Sequence, residues 1–297
     1  MTFESSLSFA KKMDEQDPLN GFREKFIFPN FHKNKVIYFT GNSLGLQPVT
    51  TRQVIMEELD DWGKFGVEGH FMSRRPWYSY HEQLTDLSAY VVGAKPIETV
   101  VTHSLTTNIH LLMVSFYQPV GNRTKILCEK KAFPSDQYAL MSQLEFHGYD
   151  KAHLIEVGPR AGEETIRHED ILKAIKENKD ELALVFMGGV NYYTGQFFDL
   201  KEITKAGHSA GAIVGFDLAH AAGNVNLALH DWGIDFATWC SYKYLNSSPG
   251  GVSGIYVHER HAENKALKRF AGWWGHDKEQ RFLMAVSYTH LTLPTNG

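Results

Sequence analysis

The chain has 297 residues, room for one large domain or two small ones. Hydrophobic residues make up 43% and charged residues 22%, and acids and bases are interspersed at a net charge of −4. That profile fits a folded enzyme and argues against disorder, a nucleic-acid partner or an anionic membrane surface.

Two cysteines, Cys128 and Cys240, both lie in apolar runs, which points to a reducing, cytoplasmic setting rather than a disulfide framework. The amino end lacks the apolar core of a signal peptide. No apolar stretch approaches the roughly 20 residues needed to span a bilayer.

In chain order, residues 1–30 read as a helix and connector that Leu7, Phe9 and Met13 dock on the body. VIYFTGNSLGLQP, residues 36–48, reads as a short strand running into a Gly-Asn-Ser turn, which fits neither a Walker loop nor a GxGxxG fingerprint. Residues 49–65 form a helix with Val54, Ile55, Leu59 and Trp62 on one side. His70, Arg74, Arg75 and Trp77 crowd the loop that follows, a pattern that by composition is a solvated basic loop.

From residue 82 the pattern alternates. A helix over 82–93, a strand over 98–102 and a helix over 105–118 are expected. The unpaired first-turn amides of the last helix suit a phosphate, and Thr106 adds a hydroxyl, although a threonine there is commonly just an N-cap. A strand over 125–130 leads into FPSD, residues 133–136, at a helix start. Phe133 could cover one face of a planar cofactor, and Ser135 and Asp136 could hydrogen-bond ring substituents. A Pro at the first helical turn is also common with no ligand at all.

Strand 152–157, helix 166–178, strand 182–187 and helix 199–210 continue the alternation. Residues 213–243 then read strand, turn, short helix, strand. One apolar run ends on Asp217 and the next, Phe236 to Cys240, leads to Ser241, Tyr242 and Lys243. Open α/β sheets bind ligands outside the carboxyl ends of their strands. A lysine amine and a carboxylate at two such ends suit pyridoxal phosphate (PLP), which needs a Schiff-base lysine and an acid that keeps its pyridine nitrogen protonated. A bare Asp and Lys at this spacing are more often a buried acid and a surface lysine, so the neighbouring residues decide.

FDLAHAAGN, residues 216–224, and WCSYKYLN, residues 239–246, resemble the two signature segments of the kynureninases. The similarity runs from about residue 20 to about residue 284. It implies that Lys243 is the Schiff-base lysine, Asp217 the pyridine partner and Tyr242 a phosphate ligand able to relay a proton. Further cofactor contacts are implied for Leu105, Thr106, Phe133, Pro134, Ser135, Asp136, for His220 near the 3′-oxygen, and for Trp273 on the phosphate. Ser43 and His70 are implied at the substrate. Where the family often has a serine this chain has Gly188, whose backbone amide could replace the lost contact.

The implied fold is the large domain of fold-type I PLP transferases, a mixed, mostly parallel sheet with helices on both faces. The implied reaction is hydrolysis of L-kynurenine, or of 3-hydroxykynurenine, to the anthranilate and L-alanine, by a homodimer in tryptophan catabolism and NAD biosynthesis. The alternatives are another enzyme of the fold, a cysteine desulfurase or class V aminotransferase, or a catalytically dead fragment. No metal is expected, since HERH at 258–261 lacks the HExxH spacing.

Three regions are expected: an amino-terminal segment, 1–50, a PLP-binding domain, 51–284, and a tail, 285–297. AVSYTHLTLPTNG breaks the alternation and reads as a translated vector junction. The small carboxyl-terminal domain of this fold, with the arginine for the substrate carboxylate, is expected to be missing.

Overall fold

A computed structural model describes residues 3–270 together with 272, 273 and 282. Its centre is a seven-stranded sheet of β1 (Thr99–Thr102), β2 (Lys125–Glu129), β3 (Leu154–Val157), β4 (Leu182–Gly188), β5 (Ile213–Asp217), β6 (Phe236–Trp239) and β7 (Ser253–Val257), in spatial order 1-7-6-5-4-2-3. Strands β2 to β6 pair in parallel, while β7 runs antiparallel to both β6 and β1.

The pleat sends alternate side chains to opposite faces, and two apolar layers result. Ile126, Cys128, Leu184 and Phe186 meet α5 (Leu105–Phe116) and α6 (Pro134–Phe146). Leu127, Val185, Met187, Val214 and Phe216 meet α7 (His168–Glu177) and α8 (Leu200–Ser209) on the other face. Strands buried on both faces read as near-continuous apolar runs, which is why these segments stood out in the sequence.

The earlier part of the chain departs from expectation. Residues 36–40 form no strand, and Ile37 and Phe39 are exposed. A strand needs a neighbour to take its backbone bonds, and among the described residues only the Val36 N–H finds one, the Pro29 carbonyl at 3.0 Å. Helix α1 (Leu7–Gln16) buries no residue, so the expected docking by Leu7, Phe9 and Met13 is not made. Helix α2 (Thr51–Phe65) carries its apolar side, Val54, Ile55, Leu59 and Trp62, outward to solvent. It is followed by a single short turn, α3 (Gly69–Met72).

The helix expected over 82–93 is shared between the end of a 3-10 segment, Trp77–Leu84, and α4 (Thr85–Val92). The short helix expected after Asp217 is only a turn, since Gly223 takes φ +78° and ends it. The tail over 285–297 lies outside the described residues, as does most of the segment 271–282.

Candidate active site

The cavity at the carboxyl ends of β2, β4, β5 and β6 has a volume of about 430 Å³, within the range of small-molecule sites. The strand register sets its floor. Gly188 ends β4 beside Asp217, which ends β5 beside Thr238 of β6. Asp217 is buried, and its Oδ1 accepts from the Ala219 N–H at 2.7 Å.

Asp136 comes from the first turn of α6, where Pro134 is accommodated because its missing N–H has no partner to lose. Asp136 is also buried, and its side chain hydrogen-bonds that of Asp217. Burial pushes the Asp136 carboxyl well up, and the nearby Asp217 charge pushes it further. The Asp217 carboxyl is raised by burial, against the opposing pull of Ala219 N–H, Asp136 and the Lys243 charge. The two carboxyls therefore share a proton. Like charges this close cannot both ionise.

Lys243 is held by the loop that follows β6. Ser241 Oγ is bonded to Ser247 Oγ at 2.6 Å and to the Val252 carbonyl. Asn246 sits at φ +56° and donates to the Leu46 carbonyl at 2.9 Å. The Gly45 N–H donates to the Tyr242 carbonyl at 2.8 Å. A Cβ at Gly45 would stand 2.2 Å from the Lys243 carbonyl oxygen, so only glycine allows that approach. The loop at 41–48 thus supports the backbone under the lysine.

The Lys243 Nζ lies 2.9 Å from His220 Nε2 and 5.7 Å from the centre of the Phe133 ring. Burial first, and then the lysine charge, bring the His220 imidazole down to about 4. A neutral His220 accepts from the lysine ammonium. The Tyr242 phenol is pushed up to about 12, chiefly by burial.

Across the cavity, α5 starts at Ser104, whose Oγ accepts from the Thr107 N–H at 3.4 Å. Thr106 is therefore not the N-cap, and it lies in the first helical turn. Ser104, Leu105 and Thr106 line the cavity, so the amino end of α5, with the positive end of the helix dipole, lies at its wall. His103, at φ +47°, precedes the cap. Such a left-handed conformation in a non-glycine residue is uncommon and concentrates at functional sites.

The cavity thus collects Leu105, Thr106, Phe133, Ser135, Asp136, Asp217, His220, Tyr242 and Lys243. It does not collect four other residues named from sequence. Pro134 is an exposed helix start, Ser43 and His70 are exposed, and Trp273 sits against Phe282 at 5.6 Å between ring centres. His70 packs edge-on to Trp77 at 5.7 Å.

Sequence reasoning missed His103, Glu129, Tyr192 and the Gly250–Gly251 turn, all of which line the cavity. Glu129 carried the same signal as Asp217, an acid ending a buried apolar strand. The backbone amide of Gly188, expected to take over a lost serine contact, is committed to Glu129 instead, at 3.1 and 3.2 Å.

The class is defined by this fold and by comparison. The aminotransferase class-V family matches residues 37–272. A cystine C-S lyase solved with its product cysteine persulfide superposes with a TM-score of 0.65 at 16% identity, covering 85% of this chain and 62% of that one. An apo cysteine desulfurase from Thermococcus onnurineus NA1 gives 0.59 at 18% identity, covering 89% and 60%. At such identities the likeness is one of fold.

The sequence relatives are narrower. The kynureninase of Flavobacterium johnsoniae is 58% identical over 289 residues, covering 97% of this chain and 68% of that protein. The kynureninase of Myxococcus xanthus is 57% identical with the same coverage, and that of Nematostella vectensis 50% identical, covering 96% and 64%. The chain belongs to the kynureninase family, whose cofactor is PLP. It spans about two thirds of the length of these relatives.

The donor set fits that cofactor. A lysine amine, an aromatic ring beside it, a buried acid pair and a helix amino terminus converge on one cavity.

Proposed function

We propose that the protein catalyses the hydrolysis of L-kynurenine, or of 3-hydroxykynurenine, to the corresponding anthranilate and L-alanine, in tryptophan catabolism leading to NAD. The observation that carries this reading is Lys243 beside a neutral His220, in the cavity that also holds the Asp136–Asp217 pair.

When bound, PLP supplies a sink for the electrons of a broken Cα–H bond. Lys243 would be the residue that holds the cofactor, and its amine, freed, would be placed to take the Cα proton. His220, neutral and 2.9 Å away, accepts from the lysine and holds its Nζ in place. Asp217 would be the acid that keeps a proton on the ring nitrogen, and Asp136, hydrogen-bonded to it, would hold Asp217 in place. The first-turn amides of α5, with Thr106, hold the phosphate. Tyr242 joins them and relays a proton. Phe133 would cover one ring face, with Leu105 and Ser135 bordering it; the resemblance adds the Trp273 indole N–H to the phosphate, although that side chain lies against Phe282, outside this cavity. Ser43 and His70 meet the substrate as it enters.

The assembly proposed is a homodimer. Its support is the open apolar face of α2, where Val54, Ile55, Leu59 and Trp62 with Trp77 and Tyr80 line a groove of about 440 Å³. A cytoplasmic setting is supported by two unpaired, buried cysteines. None of the described helices is long and apolar enough to cross a membrane. We assign residues 51–284 to the PLP-binding domain and residues 1–50 to the segment that supports its mouth, with 285–297 as a foreign tail.

A desulfurase needs a mobile, easily ionised thiol. Cys128 and Cys240 are both buried, and burial raises both thiols. The activity is tested by following anthranilate fluorescence with PLP and kynurenine. The 297-residue chain is assayed beside the same chain continued with the carboxyl-terminal part of the Flavobacterium johnsoniae relative. Anthranilate from the continued chain is expected. None from either, with PLP bound, would reject the reaction.

A further inference from the structure

Glu129 is a buried acid for which the proposed chemistry has no task. It ends β2, as Gly188 ends β4 and Asp217 ends β5, and all three open on one cavity. Both of its oxygens accept from the single Gly188 N–H, at 3.1 and 3.2 Å. With the carboxyl's own backbone N–H, only amide donors act on it, and part of a carboxylate's bonding capacity stays unmet. No lysine or arginine nitrogen among the described residues lies within ion-pair distance of it.

The space for this carboxyl depends on the glycine opposite. A Cβ at residue 188 would stand 2.9 Å from Glu129 Oε1. The other groups that act on the cluster are few. Asp136 reaches it from α6 and Asp217 from β5, while Cys128 and Glu156 lie on β2 and β3. Lys243 acts on Asp217 from the loop after β6, and His220 is neutral. Three carboxyls therefore face one lysine ammonium.

We propose that Glu129 is a positioning residue for the acid pair: with Asp136 and Asp217 it forms one three-carboxyl unit under the cofactor site, and its charge sets how many protons that unit carries. Burial, which pushes the Glu129 carboxyl up to about 7, supports the same view. Giving one proton to a bound ring nitrogen would leave the unit one charge more negative, so total charge is conserved. Glu129 decides how readily that proton is released.

The rival role is a plain backbone cap for Gly188. Glu129→Gln separates the two, because glutamine keeps an oxygen for the Gly188 N–H and loses the charge. The readout is the infrared carbonyl band of protonated carboxyls in the 297-residue protein without cofactor, titrated from about pH 5 to about pH 9. It involves neither PLP nor turnover, so it stands apart from the activity proposed above.

In Glu129→Gln the midpoint of the remaining buried-carboxyl band should fall by about one unit, a tenfold change in proton affinity. Asp136→Asn should lower the Glu129 midpoint in return. An unmoved midpoint in a folded Glu129→Gln protein overturns the proposal, as does a shift seen only in Glu129→Ala. Should Glu129→Gln not fold, the Asp136→Asn arm decides, and an unmoved Glu129 band there overturns it equally.

Discussion

At the amino ends of the strands, Asp235 and Glu98 are buried carboxyls ringed by donors. At the carboxyl ends, Glu129, Asp136 and Asp217 are equally buried and face mainly one another. Asp235 takes the Val214 N–H at 2.8 Å, lies 2.8 Å from both His208 Nε2 and His261 Nε2, and pairs with Arg260. Burial alone would raise its carboxyl, but these three side chains overcome that and hold it well below the usual range. Glu98 takes the Lys95 and Glu259 N–H groups and lies against His230 Nδ1, each at 2.9 Å. His258 Nδ1 accepts from the Arg260 N–H at 3.2 Å.

The same residue type, at the same depth, is thus a clamp at one end and a proton store at the other. Partners rather than burial make the difference. The clamp ties β1, β6 and the turn after β7 together. The store is left unpaired where a ligand can complete it.

The largest effect should come from Lys243→Ala. Borohydride treatment of the PLP-loaded protein should fix the cofactor to the wild type and not to the variant. Unaltered labelling would remove Lys243 from its assigned role.

Asp217→Ala should follow. Without a counter-charge the ring nitrogen loses its proton, and each unit of lowered pKa corresponds to about 1.4 kcal/mol. Turnover should drop by orders of magnitude while PLP binding, followed by absorbance, changes far less. Wild-type turnover would show that another group faces the nitrogen.

At the other end, Asp235→Asn should leave activity per folded molecule unchanged and lower stability by about 3 kcal/mol in urea unfolding, the low end for a broken buried pair. The low end applies because His208 and Arg260 are partly exposed. A loss under about 1 kcal/mol, typical of surface pairs, would mean that the clamp holds little.

The smallest effect is in pH dependence, and the two ends should slope in opposite directions. Asp235 is held low, so its stabilisation is present above the unfolded value near pH 4 and is lost as pH falls below it. Glu129 is held high, up to about 7. The folded protein keeps a proton that the unfolded chain releases, so this contribution is full below about pH 4 and declines as pH rises toward 7. Unfolding midpoints measured across that window should lose the downward component in Glu129→Gln. Identical slopes in both proteins would contradict the assignment.

Most of the sheet was legible because its strands are buried on both faces and so stand out as apolar runs between helical patterns. The run ending on Asp217 and the one leading to Lys243 were found for that reason. Glu129 was overlooked although KILCE has the same form, because the resemblance supplied a role for one strand-end acid and none for the other. The sequence also could not show that residues 36–40 lack a partner strand, or that α2 turns its apolar side outward. Both depend on what packs against them, and side-chain periodicity does not report that.

Local pattern by itself determined the alternating strands and helices, the sheet's two apolar layers and the residues that could carry chemistry, because period and burial are written into residue type. Only the tertiary structure decided which acids meet. Asp136, Asp217 and Glu129 come from three separate elements and converge because parallel strands place their carboxyl ends side by side. How readily each gives up a proton depends on those neighbours, which no single stretch of sequence contains.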